Sequence, residues 1–208
     1  AGDPDGQFFL AGLYFDGVGL LRDREMAAFW YRAAAEQGDP DAQYYLALQY
    51  ETGDGVPRDD DEAARWMRQA AEQGHADAQY SMGLNYDGGY GVEQSYAIAA
   101  EWYQLAADQG HAEAQSNLAY SYFTGEGVEQ DYETAAALFQ AAADQGLPQA
   151  QLAMGDLYRV GTGVPQDDAE SLRYYRLAAD QGVSAAQYEL GRYYFLGLGV
   201  AEDLSEAF

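Results

Sequence analysis

The sequence contains neither cysteine nor lysine, and its ten basic residues are all arginine. The absence of cysteine excludes a disulfide framework and any metal site that depends on thiolate ligands. Acidic residues are in large excess, because 35 Asp and Glu give a formal net charge of -25 at pH 7. The strong negative charge limits the kinds of molecule that the chain is expected to bind.

A surface this negative repels nucleic acid phosphates and anionic lipid headgroups within a Debye length of roughly 8 Å at physiological salt. We therefore expect no nucleic acid partner, and we favour a basic protein or peptide over an acidic one. The sequence has no run of about eighteen apolar residues, so we expect no insertion into a membrane. No apolar signal core follows Ala1, which we interpret as the start of a mature or trimmed product.

A short glycine motif recurs every 36 residues, and the rest of the sequence keeps the same phase. The Gly-x-Gly pairs are Gly17/Gly19, Gly53/Gly55, Gly89/Gly91, Gly125/Gly127, Gly161/Gly163 and Gly197/Gly199. A glutamine recurs with the same period from Gln7, and a Gln-Gly pair closes each unit from Gly38 onwards. A fixed period of this length is typical of a solenoid built from stacked helical units.

The unit at residues 41–76 shows which elements each repeat forms. Apolar residues at helical spacing from Ala42 predict helix A, and Gly53 supplies the left-handed position that ends it. Asp59 is the predicted N-cap of helix B, which stops before Gly74. The equivalent caps are Asp23, Ser95, Asp131, Asp167 and Asp203. The chain is therefore predicted to form six A helices and five complete B helices, with no β-sheet.

Small and large side chains occupy fixed positions in each unit, which is what interdigitated packing between helices requires. The small column on helix A comprises Ala11, Ala47, Gly83, Ala119, Gly155 and Gly191. A tyrosine column, predicted to lie in the core, comprises Tyr14, Tyr50, Tyr86, Tyr122, Tyr158 and Tyr194.

The repeated pattern resembles a known family. Ala-x-x-x-Leu-Gly-x-x-Tyr-x-x-Gly-x-Gly-Val-x-x-Asp, followed by Ala-x-x-Trp-Tyr-x-x-Ala-Ala-x-Gln-Gly, is similar to the Sel-one-like repeat, a relative of the tetratricopeptide repeat. The resemblance implies an all-α fold, a right-handed α-solenoid of antiparallel helix pairs. It covers residues 1–208 as a single domain of five full repeats plus a truncated sixth.

The resemblance also implies a function. Members of this family typically act as adaptors or scaffolds in protein complexes, often in bacterial envelopes and secretion or in the endoplasmic-reticulum lumen. We therefore expect a scaffold for protein–protein interaction, and we favour a periplasmic or extracellular location. The cysteine-rich members carry a disulfide in each unit, and their activities are not expected here.

Motifs that suggest catalysis or metal binding have structural explanations in this sequence. No strand precedes the Gly-x-Gly pairs and no Gly-Lys follows them, so a phosphate loop is not expected. His75 and His111 are equivalent turn residues of adjacent units, too far apart to share a metal. No serine has a histidine companion, so we expect no enzymatic activity, no cofactor and no metal site. Weak cation binding by the acidic run Asp59-Asp60-Asp61-Glu62 is a distant alternative.

The candidate partner-binding residues lie on helix A at positions that vary between units, one turn apart. Equivalent positions of successive units stack, so we predict a continuous stripe along a concave groove that holds a peptide or helix. Aromatic residues at variable positions, including Tyr90 and Tyr120, are further candidate anchors. The predicted stripe contains Phe9, Tyr45, Gln49, Ser81, Asn85, Asn117, Ser121 and Tyr193.

A structural, self-assembling role is the alternative function. Solenoids usually carry divergent terminal repeats with a polar outer face, whereas standard A helices are predicted at both ends of this sequence. Exposed apolar end faces would allow one molecule to meet the next end to end, as in an oligomer or filament.

Overall fold

A computed structural model describes residues 2–198 of the chain. Over this range it contains eleven α-helices and no β-strand, which confirms the predicted six A helices (odd numbers) and five B helices (even numbers). The helices are α1 (Pro4–Asp16), α2 (Arg24–Ala35), α3 (Pro40–Thr52), α4 (Asp60–Glu72), α5 (Ala76–Gly88), α6 (Tyr96–Asp108), α7 (Ala112–Thr124), α8 (Tyr132–Asp144), α9 (Pro148–Val160), α10 (Asp168–Asp180) and α11 (Ser184–Leu196).

The chain divides into two compact units, Ala1–Gln109 and Gly110–Phe208. In the first unit each A helix packs on the B helix of its own repeat, and α2 and α4 also pack on the next A helices, α3 and α5. The second unit repeats this arrangement in α7·α8 and α9·α10, with α8 on α9 and α10 on α11. Each unit is thus built from antiparallel helix pairs, while a single continuous array over 1–208 stays a prediction.

The loop between helices A and B is fixed at both ends by hydrogen bonds. In the second repeat Gly53 has φ 74°, and its N–H donates to the carbonyl of Gln49 at 2.8 Å. The carboxylate of Asp59 accepts from the N–H of Glu62 at 3.1 Å and caps α4. The caps predicted at Asp23, Ser95, Asp131 and Asp167 are confirmed, and Asp203 lies outside the described residues.

The second glycine of two Gly-x-Gly pairs lies against the backbone of the preceding repeat. Gly55 has φ 80°, and a Cβ at this position would lie 2.1 Å from the carbonyl oxygen of Arg24 in the preceding repeat. Gly163 approaches the carbonyl oxygen of Tyr132 in the same way, at 2.0 Å. In these two repeats the motif therefore ends a helix and also places the loop against the B helix before it, whereas a Cβ at Gly91 would meet nothing within 4 Å.

Glutamine pairs connect successive helices, which explains the two glutamine columns. The side-chain amide of Gln43 donates to the carbonyl of Ala35 in the preceding repeat at 3.1 Å, and its Oε1 accepts from Gln73 Nε2 at 2.7 Å. Gln43 is 4% exposed, so its bond to Ala35 forms away from water, while the bond from the exposed Gln73 is partly buried. We call this set the glutamine ladder; its pairs are Gln37–Gln7, Gln73–Gln43, Gln109–Gln79, Gln145–Gln115 and Gln181–Gln151.

The tyrosine column predicted to be core is only partly buried. Tyr50 is buried, but its five equivalents keep part of their surface exposed. In three of the repeats the phenol oxygen accepts from an arginine of the preceding B helix: Arg32 to Tyr50, Arg68 to Tyr86 at 3.5 Å, and Arg176 to Tyr194. A phenol needs a hydrogen-bond partner, and an exposed guanidinium supplies one at the surface.

Tyr31 is the basis of a prediction about alkaline pH. It is 3% exposed, and burial, followed by the neighbouring Tyr45 phenol and the Asp16 carboxylate, raises its pKa to about 12. A phenol with a pKa near 10 when unfolded stabilises the fold below pH 10, and this contribution is lost as pH rises towards 12. We expect the free energy of unfolding to fall by roughly 1.4 kcal/mol per pH unit in this window from Tyr31 alone.

Urea unfolding at several alkaline pH values measures this slope, and Tyr31→Phe is the matched variant because it removes only the titrating hydroxyl. The variant should show a shallower loss of stability than the parent chain. Parallel slopes for the two proteins would contradict the assignment to Tyr31.

Candidate binding cleft

The predicted stripe divides between the two units. Its members in the first unit lie on α1, α3 and α5, and its members in the second unit lie on α7 and α11. Phe9 is 67% exposed on α1. Tyr45 is 40% exposed, and its ring stacks on Tyr31 with centroids 5.5 Å apart. Asn117 and Ser121 are half-buried on α7.

Two predicted contact residues, Gln49 and Tyr193, are buried, which corrects their assignment to an accessible stripe. Tyr193 is 1% exposed; its hydroxyl lies 2.7 Å from Ser171 Oγ, and its ring packs edge-on against Tyr175. Gln49 is 3% exposed, and its amide has no hydrogen-bond partner among the described residues. Their position turns towards the preceding B helix, as Tyr193 does towards Ser171 on α10. The equivalent Leu157 is also buried, and apolar residues in this column were a signal of burial.

Ser81 and Asn85 line a cleft of about 400 Å³ in the first unit, between α4 and α5. We call it the α4/α5 cleft. Its wall includes the start of the Gly-x-Gly loop that follows α5, together with the loop and helix end that precede α4. The lining residues are Glu51, Arg58, Asp60, Ala63, Ala64, Met67, Ser81, Leu84, Asn85, Tyr90 and Gly91.

The cleft exists because three positions carry shorter side chains than their equivalents one repeat earlier. Met67, Ser81 and Asn85 correspond to Tyr31, Tyr45 and Gln49. Between α2 and α3 the two tyrosine rings stack on each other and also contact Phe8, with centroids 5.7 Å from each ring. Replacing two rings by a thioether chain and a hydroxymethyl group leaves space that the neighbouring helices do not close.

The floor of the α4/α5 cleft is apolar, and its wall offers hydrogen-bonding groups. Ala63 and Met67 are 9% and 5% exposed, and Leu84 lies beside them at 36%. Ser81 Oγ donates to the carbonyl of Asp77 at 2.8 Å, which leaves its oxygen able to accept. The side-chain amide of Asn85 lines the cleft and makes no hydrogen bond within residues 2–198, so its donor and acceptor are both available for a ligand.

The rim carries an aromatic ring and three charged groups. Tyr90 is 69% exposed, and its ring lies on Gly88, where a Cβ would be only 2.1 Å from the ring. Arg58 binds Asp60 through two contacts, Nε–Oδ1 at 2.9 Å and Nη2–Oδ2 at 3.3 Å. This hydrogen bonding lowers the pKa of Asp60 and raises the pKa of Arg58. Sequence reasoning missed the cleft's α4 residues, because it searched only helix A.

Residues that could suggest other chemistry have structural partners. His75 and His111 are the N-caps of α5 and α7, where Nδ1 accepts from Ala78 N and Ala114 N at 3.2 Å each. Glu62, from the acidic run, binds Arg65 and Trp66. Within the described range, no cluster of three or more histidine or acidic residues is arranged to hold a metal ion.

None of the eleven helices has the length and apolar composition needed to cross a membrane, over the residues for which the structure gives coordinates.

Comparison with known proteins identifies the repeat. The Sel1 repeat matches six successive segments, residues 4–39, 40–75, 76–111, 112–147, 148–183 and 184–208. No curated protein matches the chain.

Solved structures of similar proteins include c5321, a protective antigen present in uropathogenic Escherichia coli strains that displays an SLR fold. This chain and c5321 are 38% identical, with a TM-score of 0.92. The match covers 98% of this chain and 44% of c5321, so this chain spans less than half of that protein. A Sel1 repeat protein from Oxalobacter formigenes is 35% identical over 99% of this chain and 82% of that one, with a TM-score of 0.86.

The immunity protein Pa5087 from Pseudomonas aeruginosa is 24% identical over 92% of this chain and 70% of that protein, with a TM-score of 0.53, a likeness in fold alone. The six sequence matches and the two more similar structures agree with the 36-residue helical repeat described above. The chain therefore belongs to the Sel1 repeat family, whose members are generally scaffolds for protein interaction.

Proposed function

We propose that this chain is a non-enzymatic scaffold and that the α4/α5 cleft receives a segment of a partner protein. The observation that carries the proposal is the cleft itself, in which an apolar floor at Met67 lies beside the free amide of Asn85. An apolar side chain can bury its surface on such a floor, while an amide can pair with the peptide group next to it.

The size of the cleft supports an anchored segment. A volume of about 400 Å³ lies in the lower part of the range for pockets that bind small ligands, roughly 300–1,000 Å³. Interfaces gain much of their affinity from a few side chains that fill pockets of this kind. The exposed ring of Tyr90 at the rim can add a second aromatic contact.

The chemistry of the lining supports binding without catalysis. The cleft is lined by no histidine or cysteine, and the hydroxyl of Ser81 donates to its own helix backbone. A serine nucleophile requires a base within hydrogen-bond reach, and none of the lining residues serves Ser81 in that way. Net charge favours a basic partner, since opposite charge raises association rates.

The proposal is tested with a variant that fills the cleft with the side chains found one repeat earlier, Met67→Tyr/Ser81→Tyr/Asn85→Gln. Short random peptides displayed on phage are selected on the parent protein, and the dissociation constants of the selected peptides are then measured. We expect the filled variant to bind them at least about 30-fold more weakly, the loss of about 2 kcal/mol that defines an anchoring residue. Its melting temperature should not fall, because the same residues pack between α2 and α3.

Tyr188→Ser is the control, because it removes an exposed aromatic side chain that does not line the cleft. Tyr188 is 68% exposed on α11. The variant should leave peptide affinity unchanged. Peptides that bind the filled variant as tightly as the parent would refute the cleft as the binding site. End-to-end self-association and weak cation binding stay predictions, which light scattering across concentration and a calcium titration would test.

A further inference from the structure

The rim of the α4/α5 cleft carries one acidic group that no basic group neutralises at close range. Glu51 is exposed and lines the cleft, and within the described residues its carboxylate has no hydrogen bond or salt bridge. Asp60 is the main cause of the raised pKa of Arg58, and the field of Glu51 adds to it. The guanidinium nevertheless binds Asp60, at 2.9 Å and 3.3 Å. The uncompensated charge at the rim is therefore negative.

Glu51 does not stabilise the helix on which it lies. It is in the last turn of α3 (Pro40–Thr52), where unpaired carbonyl groups give the helix end a partial negative charge. An acidic side chain is unfavourable there, whereas a cation is favourable. At the equivalent position the first and fourth repeats have Phe15 and Phe123, which pack against hydrophobic clusters. A carboxylate at this position adds to the negative potential of the helix end at the mouth of the cleft.

The cleft therefore offers one contact surface for an apolar group of a ligand and another for a cationic group. The apolar place is the floor formed by Ala63, Met67 and Leu84, and the cationic place is the rim at Glu51. The amide of Asn85 lines the same wall and can hold the peptide group that joins two neighbouring residues.

We infer that the α4/α5 cleft recognises an apolar side chain adjacent to an arginine or lysine in an extended segment of a partner protein. This inference rests on the proposed function, because it specifies what the cleft selects. The apolar side chain packs on Met67, and the adjacent cation binds the carboxylate of Glu51 beside the C-terminal end of α3.

The test uses an array of capped hexapeptides in which the two central residues vary over all amino acids. Binding of the full chain is measured for the parent, for Glu51→Gln and for the cleft-filled triple variant, at low and at high salt. Among peptides that lose binding to the filled variant, apolar–Arg and apolar–Lys pairs should bind about 2–5-fold more tightly than the same peptides with glutamine, as expected of an exposed charge pair. Glu51→Gln should abolish this preference, and high salt should weaken it.

Glu72→Gln is the matched control, because it removes one negative charge from the exposed end of α4 without touching the cleft. It should keep the preference for a basic residue. Cleft-dependent peptides without that preference, or a preference that survives Glu51→Gln, would overturn the inference and leave the proposed function standing. If no peptide depends on the cleft, the proposed function fails, and the inference fails with it.

Discussion

Gly83→Ala is expected to lower the free energy of unfolding by about 1–3 kcal/mol, the usual cost of one added carbon in a tightly packed core. Gly83 is buried in the middle of α5, and a Cβ there would lie 2.4 Å from Cδ1 and Cε1 of the Tyr103 ring. Tyr103 is itself 2% exposed on α6, so its ring has little room to move. Gly83→Leu should cost more, and so should Ala106→Leu at a position that is 0% exposed.

The matched control is Gly12→Ala in the middle of α1. A Cβ at Gly12 would meet its nearest neighbour, the Tyr31 hydroxyl, at 4.0 Å, an ordinary contact. Alanine in a helix interior is favoured over glycine by roughly 0.5–1 kcal/mol, so Gly12→Ala should be neutral or stabilising. Asn85→Leu, which points into the cleft, should also be mild. Urea unfolding measures all of these variants, and equal losses at Gly12 and Gly83 would show that the packed faces are wrongly assigned.

Gln79→Leu is expected to destabilise the first unit by about 1–3 kcal/mol, because it removes two hydrogen bonds, each worth roughly 0.5–1.5 kcal/mol net. Gln79 is 5% exposed; its Nε2 donates to the carbonyl of Ala71 at 3.1 Å and its Oε1 accepts from Gln109 at 2.7 Å. Leucine has a similar volume, so the loss reports on hydrogen bonding more than on packing.

Gln79→Glu separates the two bonds, since a carboxylate still accepts from Gln109 but no longer donates to Ala71. At neutral pH it should be at least as destabilising as leucine, because the buried charge faces a carbonyl oxygen. Part of the loss should be recovered as the glutamate is protonated at acidic pH, relative to the parent at the same pH. Gln104→Leu is the control, since among residues 2–198 Gln104 bonds only Asp108 on its own helix, and a change within about 0.5 kcal/mol is expected. A control loss as large as that at Gln79 would count against the glutamine ladder.

The helices and their ends could be predicted from the sequence because their determinants are local. Gly53 and Asp59 set the end of one helix and the start of the next through contacts within a few residues, and the first five repeats each supply such a glycine and an Asp or Ser cap. His75 was predicted only as a turn residue, although it occupies the position of Asp39, an N-cap one repeat earlier. Comparing these two positions would have revealed the capping role.

The candidate site was harder to predict because it depends on two helices from different repeats. The helical period shows that Tyr45 and Gln49 share a face, but it does not show that Gln49 is buried while Tyr45 stays partly exposed. The cleft requires short side chains at all three of its positions, Met67 on α4 and Ser81 and Asn85 on α5. The sequence was compared one repeat position at a time. Such a comparison does not show a cleft whose size depends on side chains at several positions on two helices.

The position of the cleft at a junction between repeats affects how such a protein can diversify. Gln43, Gln79 and Gln151 of the glutamine ladder each donate to a carbonyl of the preceding repeat, so whole repeats could be duplicated or exchanged without a new kind of connection. The cleft, in contrast, belongs to neither the second nor the third repeat alone. Changing the order of existing repeats would therefore create new cavities from old sequence, and new recognition could arise by recombination before any point mutation.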